Sequence, residues 1–337
     1  MNTQKRDLGF DLIRSISALW IVCVWHLLAY AEPAVDYVTP PFKFCAELAL
    51  SCFMFISGYF LGQKSISNGR DVWEFYKKRF WRFYILYFIA ALILLAGGIV
   101  AGKMWFQTPQ SFISTILGLS SFIDPTVGTI WFMSMLMMFY VLTPLILYGN
   151  KGGKKRLLVS VAIYFLFLIL YFILPSVDER LLRFFPLYAL GLLLTKNTIC
   201  KLKNSYFAAI ISLVVCVILT AFPLSLPNEY ISVIVSNLVY VLKFFSAFIF
   251  LIWCVDKINL SGGGKFCSSI EFVSYISLAL YLFHRPVYQV LTMIINGLYT
   301  KGIGSNLWVL YLIFVPIAIV VSYYIQKVYD KFLTRIR

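Results

Sequence analysis

Charge is scarce in this chain. Only 13% of its 337 residues are Asp, Glu, Lys or Arg, about half the share of an ordinary soluble domain, so a large water-facing surface is excluded. Seven cysteines (Cys23, Cys45, Cys52, Cys200, Cys216, Cys254, Cys267) form no CxxC pair. Most lie in or beside apolar stretches and read as small packing residues, not disulfides or metal ligands. No internal repeat is evident, which weakens an inverted-repeat transporter. The segment Ser261 to Lys265, SGGGK, lacks phosphate-loop spacing and reads as a flexible connector. No cleavable leader is expected either: the first apolar run is too long, contains Arg14 and has no small-residue cleavage site, so it reads as a retained helix.

Hydrophobic residues fill the place of charge, at 61% of the chain with 18% aromatic. Apolar runs near 20 residues recur, each enough to cross a hydrocarbon core about 30 Å thick. Ten are expected, at roughly 9–30, 43–62, 83–102, 130–149, 157–175, 183–196, 205–223, 231–254, 273–296 and 307–326. The expected fold is therefore an all-α, polytopic membrane bundle of about ten transmembrane helices, forming one membrane domain over residues 1–337. The net charge of +15 invites a nucleic-acid reading, but its placement argues against one. Twenty-one of the 29 Lys and Arg fall in alternate loops and the termini, and four (Lys103, Arg180, Arg183, Lys301) on the other side. That is the positive-inside pattern, and it puts both termini in the cytoplasm. Of the opposite loops, residues 31–42 carry Glu32, Asp36 and three prolines and read as a short irregular connection. Residues 103–129 are half apolar, and SFISTILGLSSF within them fits either a re-entrant or interfacial helix or a plain surface helix.

Ionisable side chains within spans are costly and mark function by default. The first span holds Asp11, Arg14 and His26, the second Lys43 and Glu47, the eighth Lys243, and the ninth His284 and Arg285. Lys43 and Glu47 are four apart and can neutralise each other, as can Asp11 and Arg14, three apart. A neutral imidazole can take a proton from a hydroxyl and return it to a leaving group. A structural interhelical hydrogen bond is the plainer role for one histidine, but two histidines with Arg14 point to a path across the bilayer. At the inner end of the third span, KKRFWR (77–82) is either a positive-inside anchor or a phosphate clamp, with Arg79 and Arg82 projecting from one face.

These residues, in this order, resemble the acyltransferase-3 family of integral membrane acyltransferases along nearly the whole chain. DLIRSISALWIVCVWH (11–26) is similar to its first-helix signature, FMFISGYFLG (53–62) to its Ser-Gly-aromatic stretch, and KKRFWRFYILYF (77–88) to its Arg-x-x-Arg segment. IWFMSMLMMFYVLTPL (130–145), FPLYALGLLL (185–194) and SYISLALYLFHRPVY (274–288) resemble its later landmarks. One departure stands out. The family usually places ten residues between Arg and His; Arg14 and His26 enclose eleven. Twelve helical steps leave the two about 120° apart, and a π-bulge between them would restore the alignment.

The resemblance implies O-acyl transfer from cytoplasmic acyl-CoA, commonly acetyl-CoA, to a hydroxyl of a cell-surface or lipid-linked polysaccharide, in a bacterial cytoplasmic membrane. No permanently bound cofactor, metal or nucleic-acid partner is expected, nor an added SGNH-like domain. Arg79 and Arg82, helped by Lys78, are expected to hold the CoA phosphates. Arg14 and His26 are the expected catalytic residues, His26 as general base or transient acyl carrier. His284, Asp11, Glu47, Trp131 and Tyr281 are expected at the acceptor site or in support. A glycan exporter or flippase using the same charges is the rival, and a structural scaffold, in which none of these charges matters, is a third reading.

Overall fold

The computed structural model describes residues 7–31, 36–100, 108–123, 128, 130–149, 152–222, 226–258, 264–298 and 306–336. Lys5, Arg6, Glu32, Lys103, Lys151, Lys301, Arg337, three residues of the SGGGK connector (261–263) and parts of the 103–129 loop lie outside them. Among the described residues there is no β-strand, only an isolated bridge between Ile66 and Tyr148. The helices are α1 (Leu8–Leu19), α2 (Pro40–Gly62), α3 (Gly69–Arg79), α4 (Ile85–Val100), α5 (Pro109–Ile116), α6 (Trp131–Leu147) and α7 (Gly153–Ile173). They continue with α8 (Arg180–Leu193), α9 (Lys196–Asn204), α10 (Tyr206–Ala221), α11 (Glu229–Asp256), α12 (Lys265–Leu298), α13 (Leu307–Val309) and α14 (Val315–Ile336). Three π segments, Trp20–His26, Phe80–Tyr84 and Leu310–Phe314, continue α1, join α3 to α4 and join α13 to α14.

Each of the ten expected apolar stretches falls on a helix. Seven helical runs among the described residues are long and apolar enough to cross a membrane, or eight if α9 and α10, bent by 85°, make one broken span. The other two stretches are shorter, 17 residues in α6 and 14 in α8. Polarity is inverted relative to a soluble protein. Leu158 and Phe207 are exposed, at 70% and 76%, while His284, Asn237, Ser134 and Ser322 are wholly buried. Such a surface suits hydrocarbon, not water. The α5 region follows the same rule: Ser111, Ser114, Thr115, Ser120 and Ser121 turn inward while Ile113 and Leu117 face out. A Thr108–Ser111 capping box starts α5, and Tyr87 donates to the Thr115 carbonyl at 2.6 Å.

Local sequence sets the ends of these helices. Asp7 caps α1 by accepting from the Gly9 and Phe10 amides, Pro40 opens α2, and Asn68 and Asn228 cap α3 and α11. Such caps satisfy amides that the first turn leaves unpaired. Packing at the centre depends on small residues. Gly58 and Gly62, four apart on α2, meet Gly191 and Leu192 of α8. A Cβ at Gly58 would overlap the Tyr188 carbonyl oxygen, and one at Gly191 that of Phe55. This is the small-residue crossing by which membrane helices approach without a hydrophobic driving force. Helix α1 packs in parallel with α12: Ser15 donates to Ile270 O near one end (3.1 Å), and Tyr288 to Val22 O near the other (3.3 Å). Below, the basic end is the one where α1 starts and α2 finishes, and the far end is its opposite.

Candidate active site

The π segment Trp20–His26 falls within the Arg14–His26 interval. The expected bulge is therefore present, and it brings His26 back to within about 20° of the Arg14 face. The two residues still differ in depth by about 17 Å along the helix. His26 Nδ1 lies 2.8 Å from His284 Nε2, and His284 Nδ1 lies 3.0 Å from the Leu280 carbonyl oxygen. A carbonyl only accepts, so neutral His284 carries its proton on Nδ1 and offers the lone pair of Nε2. His26 must then donate from Nδ1, which leaves its own Nε2 as a lone pair. That Nε2 makes no hydrogen bond to any described residue. His26 keeps a sliver of exposed surface, 9%, whereas His284 has none. The relay thus orients one accessible base through one buried imidazole.

Around the pair, the Tyr281 ring lies 6.1 Å from His284 and the Tyr288 ring 5.6 Å. Tyr281 also meets Phe132 at 5.8 Å, which adjoins Trp131. Arg285 is an electrostatic neighbour of both His26 and Tyr281. Trp131, expected as a lining residue, lies under the Arg180 guanidinium at 3.8 Å. Deeper on α1, Asp11 is buried. It accepts from Ser274 at 2.6 Å and lies 3.5 Å from Arg14, so the expected Asp11–Arg14 neutralisation is present. Arg14 also lies over the Phe60 ring, 5.7 Å from its centroid.

Two cavities open at the basic end. One, of about 890 Å³, is lined by Arg14, Asp11, Tyr59, Phe60, Lys196 and Lys203 among others. The second, of about 350 Å³, is lined by Arg79, Tyr76, Phe83, Tyr84, Met137 and Tyr140 with neighbours from the 116–119 turn. Arg14 and Arg79 therefore line different cavities, and His26 lines neither of these two.

Arg79 makes no ion pair with any described carboxylate, and its buried Nε has no hydrogen-bond partner among the described residues. Aromatic faces hold its guanidinium instead, Tyr140 at 5.1 Å and Phe75 at 5.8 Å. The π segment Phe80–Tyr84 starts immediately after it and contains Arg82. Lys78 is more exposed and lies 3.9 Å from Glu74.

Sequence reasoning passed over Lys64. Its ammonium also lies over the Phe75 ring, at 5.8 Å. Burial, with Arg79, Lys78 and Arg82 crowding it, pushes its pKa down to about 8. Arg14 over Phe60, with Lys64 and Arg79 over Phe75, makes a cation–aromatic rim beside the two cavities. The signal available beforehand was only its place in the same basic loop.

The far end differs. Arg180 pairs with Asp178 at 2.6 Å, and Arg183 with Glu179 at 2.7 Å and Asn237 at 3.1 Å. Glu47 lies near Lys243, Lys43 and Arg183. The expected Lys43–Glu47 pair is not closed, because Glu47 forms no ion pair or hydrogen bond among the described residues. Both residues share a face of α2 as expected, but Phe44 between them turns towards α11 and Lys43 stays exposed. No group of three or more metal-ligating side chains occurs among the described residues.

A family model described as an acyltransferase domain matches residues 7–327. No curated protein and no solved structure matches the chain.

Proposed function

The chain belongs to the acyltransferase-3 family and is an integral membrane acyltransferase; from that premise we propose that it moves an acetyl group from cytoplasmic acetyl-CoA to a hydroxyl of a cell-surface or lipid-linked glycan. The observation that carries this reading is the His26–His284–Leu280 relay, which leaves one oriented imidazole lone pair at the far half of the bundle. We place the basic end, with both termini, in the bacterial cytoplasm and read all ten helical stretches as crossings. The alternating basic loops support that orientation.

Arg79, Arg82, Lys78 and Lys64 hold the anionic phosphates of CoA at the cytoplasmic rim. Guanidinium binds phosphate in a bidentate fork and resists deprotonation. The 890 Å³ cavity is of the size that holds a cofactor-sized ligand. Arg14 at its inner wall meets the pantetheine arm, whose extended length is comparable with the Arg14–His26 offset. His26 Nε2 takes the proton of the acceptor hydroxyl as its oxygen attacks the thioester carbonyl. His284 accepts the Nδ1–H bond of the imidazolium that forms and keeps the ring in register. Arg285, beside His26, faces the developing oxyanion. Collapse of the tetrahedral intermediate breaks the C–S bond, and His26 returns its proton to the departing thiolate.

The test is acetyl transfer by purified protein in lipid nanodiscs, with radiolabelled acetyl-CoA and isolated surface glycan. Wild type should label the glycan. Glycan crossing the bilayer without becoming labelled would replace this reading with export. A hydroxylamine-labile acetyl group on His26, caught by rapid quench at neutral pH and mass spectrometry, would replace the general base with an acyl carrier.

A further inference from the structure

The far half of the contact between α2 and α11 carries a cluster that the relay does not use. Phe44, Glu47 and Ser51 lie three and four residues apart on α2 and share one face. Phe44 packs on Phe244 at 5.4 Å, and the Ser51 hydroxyl lies 3.4 Å from the Tyr240 hydroxyl. Glu47, between them, therefore faces the same stretch of α11. On α11 the Lys243 ammonium sits among three rings, Phe244 at 4.7 Å, Phe44 at 5.8 Å and Tyr240 at 5.9 Å. No described carboxylate closes an ion pair with it, and it makes no hydrogen bond to any described residue. Glu47 is likewise unpartnered. Both are half-buried. Arg183 borders them, over the Tyr240 ring at 5.5 Å.

Two opposite charges that neighbour each other inside apolar helices, neither closing an ion pair or hydrogen bond among the described residues, are costly unless something bridges them. Glu47 has Lys243, Lys43 and Arg183 as electrostatic neighbours, and Arg183 itself pairs with Glu179. A simple anion would satisfy Lys243 but be repelled by Glu47. A neutral sugar would satisfy Glu47 but leave Lys243 unmatched. The ligand that answers both presents hydroxyl donors and one anionic group on a single ring. Half-buried Phe44, backed by buried Tyr240 and Phe244, offers apolar surface to the C–H side of such a ring.

We propose that Glu47 and Lys243, with Phe44 and Tyr240 between them, bind an anionic sugar unit of the acceptor. The Glu47 carboxylate accepts from its hydroxyls, and the Lys243 ammonium pairs with its carboxylate or phosphate. This rests on the reading that the protein acylates a glycan, and it narrows that glycan to an acidic one.

Binding can be measured without any acyl donor, by titration calorimetry on the protein in neutral phosphatidylcholine nanodiscs. The probes are a glucuronate-containing tetrasaccharide, the same tetrasaccharide with its carboxyl groups reduced, and glucose 1-phosphate. One anionic probe should bind about tenfold more tightly than the reduced tetrasaccharide, the size expected of a charge-assisted contact. Preference for the glucuronate assigns a carboxylate, and preference for the phosphate a sugar phosphate. Lys243→Met should abolish the preference and Lys243→Arg should restore it, which separates lost charge from misfolding. Glu47→Gln should weaken all three probes. Equal binding of charged and reduced probes by wild type, no binding of any probe, or a preference that survives Lys243→Met overturns the proposal. Wild type that binds the acidic probe but never acylates it sinks the transfer reading and leaves this site standing.

Discussion

At the basic end, Arg79 has no carboxylate partner among the described residues and is held by Phe75 and Tyr140. Arg180, at the far end, pairs with Asp178 at 2.6 Å and lies 3.8 Å over Trp131. Both are guanidiniums on aromatic faces, yet the difference in counter-charge separates their tasks. A cation already matched by a neighbouring carboxylate fixes the ends of α6 and α8 against each other. One that aromatic faces position without neutralising keeps its hydrogen-bonding fork available for a mobile anion. Lys243 follows Arg79 and departs from its own end of the molecule in doing so, which is why it reads as a ligand contact.

The comparison breaks first at the relay between the two ends. Replacing the base, His26→Ala, should lower acetyl transfer by about 10² to 10⁴, with donor binding the control for folding. Transfer at the wild-type rate would remove the relay from the chemistry. Next in size is Arg79→Ala, which should weaken acetyl-CoA binding by about 10- to 100-fold, the worth of charge-assisted contacts to phosphate. Its melting temperature should hardly move, because no ion pair is broken. Arg180→Ala should do the reverse. It should destabilise the protein by about 1–2 kcal/mol through the lost stacking and the stranded Asp178, with donor affinity unchanged. If both variants lost donor affinity equally, the contrast between the ends would be meaningless.

How much of this was legible in the sequence depends on the range of each interaction. Helix positions follow from apolar runs and caps, so all ten expected stretches fall on helices. The π segment was legible from a local count, the one residue too many between Arg14 and His26. The relay itself was not, because His26 and His284 are 258 residues apart and no periodicity says which helices adjoin. Lys43 and Glu47 show the opposite failure. Their four-residue spacing is that of an ion pair, but tertiary packing of Phe44 against Phe244 on α11 decides what that face meets. Lys64 looked like one more basic loop residue, and only its place on the Phe75 ring beside Arg79 distinguishes it.

That crowding makes a smaller and sharper prediction. Lys64 titrates at about 8, driven down by burial and by Arg79, Lys78 and Arg82, whereas arginine stays charged throughout. The sign follows directly. Below that value Lys64 is cationic and adds one charge to the rim; as pH rises through it the charge is lost, and an anionic donor is held less well. Bound phosphate favours the charged form and so moves the transition upward in the complex. Acetyl-CoA affinity should therefore fall several-fold between about pH 7 and pH 9, within the reach of one charge–phosphate contact. Lys64→Arg should flatten that slope at high affinity, and Lys64→Met should flatten it at low affinity. High salt should shrink the wild-type slope, because the rim is partly open to solvent and screened there. A slope unchanged by both substitutions would place the titrating group elsewhere and return Lys64 to the ordinary anchoring loop it resembles in the sequence.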